Sequence, residues 1–126
     1  MYQGDALMVD IPGAEGEMGI LPNHAPLITL MQFGIIEVKT PAGDLHFTVA
    51  GGVVEVQPDE INILADAAED VEEIDIQRAE AARARAEELM KTTPQMDAER
   101  YESLKSALKR SNMRIDAARR YRKTRG

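Results

Sequence analysis

Arginines are the residues here whose type and spacing most suggest chemistry. Arg78 and Arg85 stand seven apart in an Ala/Arg/Glu-rich segment, so two helical turns put them on nearly one face. Arg110 and Arg114 stand one turn apart in a second such segment. Folded back on each other, the two segments would present four guanidiniums to one polyanion, each suited to bidentate phosphate contact. A plainer reading stays open: arginine is an ordinary surface residue of helices, and Glu80, Glu87 and Glu88 are at hand to pair with it.

Other candidates are weaker. Gly13, Gly16 and Gly19 have GxxGxxG spacing, but a phosphate loop leads into a helix and usually has a lysine nearby. Here Glu15 and Glu17 would repel phosphate and the run leads into Ile20-Leu21-Pro22, so a structural turn is expected. His24, in a loop between prolines, and His46, at the opening of a strand, show no ligand spacing and are expected to be exposed structural residues. Serine occurs only at Ser103, Ser106 and Ser111, with no neighbouring histidine, which leaves nucleophilic catalysis unsupported. The acidic run Glu69-Asp70-Val71-Glu72-Glu73 reads as a solvated face. No metal site and no enzymatic centre are expected.

The elements that must position these residues are bounded by composition. A chain of 126 residues has room for one ordinary domain, or a small domain plus an appendage. The absence of cysteine excludes disulfides, thiolate zinc sites and cysteine nucleophiles. No apolar run approaches the ~18 residues of a membrane span, and Met1-Tyr2-Gln3-Gly4-Asp5 does not read as a signal peptide. An aqueous, reducing compartment is therefore expected, unless a partner carries the chain to a membrane.

The net charge of −7 hides an asymmetry: residues 1–75 hold one base, Lys39, against fifteen acids, while residues 76–126 hold fourteen bases against seven acids. Such a split bears on partners and suggests two modules with different surroundings. The acidic majority and the lack of aromatics between the basic positions argue against nucleic-acid binding.

The first half is punctuated by turns. Asp5–Ile11, Leu27–Met31, Gly34–Lys39, Leu45–Val49, Val53–Gln57 and Ile61–Leu64 read as strands. Thr40–Asp44 reads as a five-residue hairpin loop and Pro58-Asp59-Glu60 as a second. Together they predict a compact antiparallel β-sandwich or barrel. The second half predicts a helix from an N-cap at Asp75 to Lys91, with Ala79, Ala82, Ala86 and Leu89 along one stripe. Thr92-Thr93-Pro94 ends it, and a second helix from about Asp97 to Arg122 carries Tyr101, Leu104, Leu108, Ile115 and Ala118 on one face. So short a link makes the helices antiparallel. Their Ala-rich seam is thin, which gives either a low-stability element able to dock and leave or a permanently docked hairpin.

Three ordered runs resemble the epsilon-subunit family of the F-type ATP synthase. They are Gly16-Glu17-Met18-Gly19-Ile20-Leu21-Pro22-Asn23-His24-Ala25-Pro26-Leu27, Gly51-Gly52-Val53-Val54-Glu55-Val56-Gln57-Pro58, and Ile63-Leu64-Ala65-Asp66-Ala67-Ala68-Glu69. The likeness covers essentially the whole chain. It implies an N-terminal antiparallel β-sandwich of about ten strands, here residues 1–72, followed by a helical hairpin over residues 73–126. The chain opens near that family's second strand, which implies that the first is missing and a sheet edge exposed.

The resemblance further implies a non-catalytic rotor subunit of bacterial type, peripheral on the cytoplasmic face of the cell membrane. Its sandwich would bind the gamma subunit and the c-ring, with Glu17 and His24 as the contact residues. Asn23 stands where many members have glycine, and Met18 replaces the usual leucine. Its helices would reach the catalytic alpha/beta head and restrain ATP hydrolysis. Several bacterial members bind ATP through an Ile/Leu-Asp-x-x-Arg-Ala motif plus arginines, which matches Ile74, Asp75, Arg78, Ala79, Arg85, Arg110 and Arg114, with Glu69 as a further contact. No cofactor is required on this reading, and ATP is a regulatory ligand. The alternative is a free-standing ATP-sensing module.

Overall fold

The computed structural model describes residues 3–93 and 97–122. The chain divides into two compact units, Met1–Asp70 and Val71–Gly126.

In the first unit, alternation of apolar and polar residues and closely spaced turns give eight strands: β1 (Met8–Gly13), β2 (Gly16–Ile20), β3 (Leu27–Met31), β4 (Gly34–Thr40), β5 (Gly43–Val49), β6 (Gly52–Val56), β7 (Ile61–Ala65) and β8 (Glu69–Asp70). They run in the order β7-β6-β3-β1-β4-β5-β8, with β2 paired to β1. Strand β1 serves both halves of the sheet. Its first residues, Met8–Asp10, pair with β4, whereas Gly13 pairs with Met31 of β3. The halves therefore close over one core, in which Val9, Ile11 and Ile20 meet Ile36, Val38 and Val49 from one half and Val54 and Val56 from the other. This is an antiparallel β-sandwich.

The described residues thus form eight strands where the resemblance implied about ten. Residues 21–26 form no strand and turn at Pro22-Asn23, since Pro22 and Pro26 lack the N–H a ladder requires. The glycine-rich run holds a strand not expected from the sequence, because Gly13 and Gly16 close a tight turn around Ala14-Glu15 and return the chain as β2. The Thr40–Asp44 loop is also tighter than expected: Thr40 pairs with Gly43, leaving Pro41-Ala42 as its tip. Thr40 Oγ1 closes it, donating to the Gly43 carbonyl at 2.6 Å and accepting from the Ala42 amide at 3.2 Å. The acidic run is not simply a solvated face. Glu69 and Asp70 pair with Thr48 and Phe47, and Val71 is buried in the following 3-10 turn, Val71–Glu73.

Gly52 is fixed by geometry. Its φ is +143°, and a Cβ there would lie 2.2 Å from the Leu64 carbonyl oxygen on the paired strand. Gly52→Ala is expected to cost about 3 kcal/mol, combining backbone strain with a clash that no side-chain movement relieves. Chemical denaturation of the variant measures this, and a loss under about 1 kcal/mol would contradict it.

In the second unit, α1 (Ile76–Thr92) and α2 (Ala98–Tyr121) start at aspartates that cap them: Asp75 accepts from the Arg78 amide at 3.0 Å and Asp97 from the Arg100 amide at 2.7 Å. Pro94, expected to break the chain between them, lies outside the described residues. The helices are antiparallel, since Arg83 meets Asn112 while the earlier Glu80 meets the later Arg119. Their seam is small, with Ala79 and Ala86 facing Ser111, Ile115 and Ala118. Two residues placed on it by sequence are off it. Ala82 is exposed, because α1 turns Arg83 inward instead, and Tyr101 is 45% exposed near the start of α2, far from the buried positions. So few apolar atoms stabilise a hairpin weakly.

Candidate functional site

The two edges of the helical seam differ. Glu80 follows the buried Ala79 and Arg119 follows the buried Ala118, and these two side chains pair at 2.5 Å. Asn112, which follows the buried Ser111, accepts from Arg83 Nη1 at 3.3 Å on the same edge. In an antiparallel pair, residues one step after the buried positions share one edge, and residues one step before them share the other. Arg78 precedes Ala79, Arg85 precedes Ala86, Arg110 precedes Ser111 and Arg114 precedes Ile115. The four arginines flagged by spacing therefore line one edge of the hairpin, while the opposite edge is knitted by Glu80–Arg119 and Arg83–Asn112.

Arg78, Arg85 and Arg110 are exposed and Arg114 is half-buried. Such an edge is chemically fit for a polyphosphate: its cations are always charged and form planar forks. Ile74 and Asp75 lead into α1 and Ala79 is buried in the seam, so these motif residues shape the helix start beside Arg78. Asp75 spends a carboxylate oxygen on the helix cap. Glu69 belongs to the other unit, on β8.

Glu17 is exposed on β2, opposite Pro12 of β1. His24 lies in the turn that follows, its Nδ1 2.7 Å from the Ala25 carbonyl oxygen. That turn is anchored by the Asn23 amide, which donates to the Pro58 carbonyl at 3.0 Å. Asn23 has a φ of +65°, the left-handed region, where asparagine is the usual substitute for glycine. The exchange of glycine for Asn23 therefore keeps the loop's shape.

His46 corrects an expectation. It sits within β5, its side chain only 11% exposed, and its Nε2 lies 2.8 Å from Glu37 Oε2. Register explains this, since Glu37 and His46 are directly opposed across β4 and β5. Lys39 Nζ reaches the other oxygen of Glu37 at 3.6 Å. Among the described residues, no group of three His, Asp or Glu side chains comes together as a metal site would require. No helix of the described residues is long and apolar enough to cross a membrane.

One surface was missed in the sequence. On the face of β3-β6-β7 turned away from the core, Leu30, Val53 and Leu64 stand opposite one another in register, and Ile28 extends the row along β3. Ile28 is 71%, Leu30 61% and Leu64 76% exposed. Beside them lie Glu55 and Asn62, the next cross-strand pair. The signal was present: Leu27-Ile28-Thr29-Leu30-Met31 and Gly52-Val53-Val54-Glu55-Val56 are apolar on both faces, as strands covered on both sides are. Contiguous exposed apolar surface of this kind marks an interaction site.

Known proteins are similar to this chain over residues 1–119. Residues 1–71 match the β-sandwich domain of the ATP synthase delta/epsilon chain, and residues 72–119 match its long α-helix domain. The ATP synthase epsilon chain of Dehalococcoides mccartyi strain BAV1 is 45% identical over 125 residues, covering 98% of this chain and 87% of that one. That of Bacillus licheniformis is 43% identical over 120 residues, covering 94% and 89%. That of Pelotomaculum thermopropionicum is 48% identical over 88 residues, covering 70% and 66%. Among solved structures, a chain of the Euglena gracilis mitochondrial ATP synthase, in its OSCP/F1/c-ring assembly, superposes with a TM-score of 0.63 at 22% identity over 92% of this chain and 68% of that one.

Proposed function

We propose a function from one premise, that this chain belongs to the delta/epsilon-chain family of ATP synthase. It is a non-catalytic rotor subunit of the central stalk, peripheral on the cytoplasmic face of a bacterial membrane. The β unit docks on the gamma subunit and the c-ring and helps carry torque between proton flow and ATP synthesis. The helical hairpin is a mobile arm that reaches the catalytic alpha/beta head and restrains ATP hydrolysis, and ATP held on its arginine edge keeps it folded. One observation carries the docking half of this reading: the exposed row Ile28, Leu30, Val53 and Leu64. A free-standing ATP sensor has no use for such a face. Glu17, which is exposed, and His24, which is half-buried, are the contacts we assign to the c-ring. The tagged chain, expressed with its cognate gamma subunit, is expected to co-purify with it in equal amounts, and recovery of the chain alone would overturn the assignment.

ATP gating has its own test. Calorimetric titration of the isolated chain with ATP is expected to show one saturable site, with ADP as the control. Arg110→Ala is expected to weaken that site by about 1–3 kcal/mol, the loss of one charge-assisted contact. An unchanged affinity would remove Arg110 from the site. Absence of binding up to about 1 mM ATP, an affinity near −4 kcal/mol, would remove ATP from the mechanism and leave the rotor assignment in place.

A further inference from the structure

Arg122 closes α2, and its side chain does something the helical hairpin does not otherwise require. Its amide ends the helix by donating to the Ala118 carbonyl at 3.2 Å. Its backbone then turns extended, with φ −66° and ψ 133°. From there Nη2 donates to two main-chain carbonyls on the turn that precedes α1, that of Val71 at 2.9 Å and that of Ile74 at 2.5 Å. The Val71 carbonyl closes the 3-10 turn, and the Ile74 carbonyl lies ahead of the α1 ladder. Ile74 is the residue before the Asp75 cap, and among the described residues Val71 otherwise receives only the Ile74 amide, at a long 3.4 Å. Both residues bury their side chains, so these are sheltered acceptors that water serves poorly.

We propose that Arg122 is a reversible latch, its guanidinium fastening the end of α2 to the turn before α1 and so holding the hairpin closed. The contact joins residues 51 and 48 positions apart, making it the closure of the whole two-helix loop. Its chemistry suits a contact that must also open. The acceptors are neutral carbonyls carrying only partial charge, and Arg122 Nε is buried with no hydrogen-bond partner among the described residues. Two charge-assisted bonds thus stand against one orphaned donor and a partly desolvated cation. A carboxylate offered by a partner would be a stronger acceptor than either carbonyl, so an acidic surface competes for the latch. The latch stands on the geometry alone. Its consequence, that opening releases an inhibitory arm, rests on the function proposed above.

Hydrogen exchange on the full chain, without ATP or partner subunits, tests the latch independently of that function. In Arg122→Met, which keeps an apolar stem and removes the donors, peptides covering residues 71–79 and 115–122 are expected to exchange about tenfold faster or more. Peptides from β4 and β5 are expected to keep their native rates. Arg119→Met, which breaks only the exposed pair with Glu80, is expected to change exchange at both ends less than about twofold. Arg122→Lys keeps a cation at the end of α2 but not the planar fork, and is expected to remain clearly faster than native. Native protection in Arg122→Met, acceleration in Arg119→Met equal to that in Arg122→Met, or full protection in Arg122→Lys would each overturn the proposal, the last by reducing Arg122 to a cation that balances the helix dipole. If Arg122→Met melts both helices, Arg122→Lys decides on the same two peptides.

Discussion

Replacing Leu30 and Leu64 together by glutamate is expected to weaken capture of the gamma subunit by at least about 100-fold. The two side chains stand in one cross-strand row and are 61% and 76% exposed, so a docked partner removes most of their surface from water. Losing the burial of two large aliphatic side chains forfeits about 3 kcal/mol or more, and each factor of ten in affinity is about 1.4 kcal/mol. The introduced carboxylates add a desolvation cost with no partner arranged to offset it. Folding should survive, because both positions point away from the core formed by Val54, Val56 and their neighbours. Leu7→Glu, at an exposed leucine outside this row, is the control and should bind as the native chain does. Affinity of the double variant measured by surface-immobilised gamma decides the matter, and an unchanged value moves the docking face elsewhere.

Removing residues 71–126 is expected to leave a β unit that folds, still binds gamma, and no longer restrains ATP hydrolysis. Every residue of its hydrophobic core lies at or before Ala65, so truncation removes none of them. Residues 76–126 carry the basic excess, and a basic arm is suited to engage acidic surface on a large partner. Hydrolysis by the reconstituted complex should therefore rise to the level seen without the chain. Inhibition retained by the truncated chain would end the arm model and assign restraint to the β unit.

Much of this was legible in the sequence, for reasons that can be named. Strands β3 to β7 announced themselves because turn residues such as Pro58-Asp59-Glu60 separate short apolar runs. The helices did so through a capping aspartate at Asp75 and a change of period, while the cap at Asp97 became visible only in the structure. What stayed hidden depended on pairing across the chain. Strand β2 is glycine-rich and forms because β1 supplies its ladder, which overrides its weak intrinsic preference. The burial of His46 follows from its register with Glu37, which no local pattern reveals. Glu69 and Asp70 look like solvent-facing acids until β5 pairs with them.

The site divides in the same way. The arginine spacing was readable, whereas its meaning needed the register of the two helices. Only the Glu80–Arg119 and Arg83–Asn112 pairs identify which edge is knitted and which carries the arginines. The outward apolar row was encoded in strands apolar on both faces, yet only the alignment of Leu30, Val53 and Leu64 makes it a surface. Arg122 gave no signal at all, since its partners are main-chain carbonyls, which carry no sequence signature.

The most direct measurement is a titration of the full chain into a purified catalytic complex of alpha, beta and gamma subunits, with ATP hydrolysis as the readout. The account predicts that hydrolysis falls and saturates at one chain per complex, at chain concentrations of about 1 μM or below, the range of specific stalk contacts. It also predicts that the Leu30→Glu, Leu64→Glu double variant leaves the rate unchanged over the same range. Undiminished hydrolysis at saturating native chain, or equal inhibition by the double variant, would contradict it.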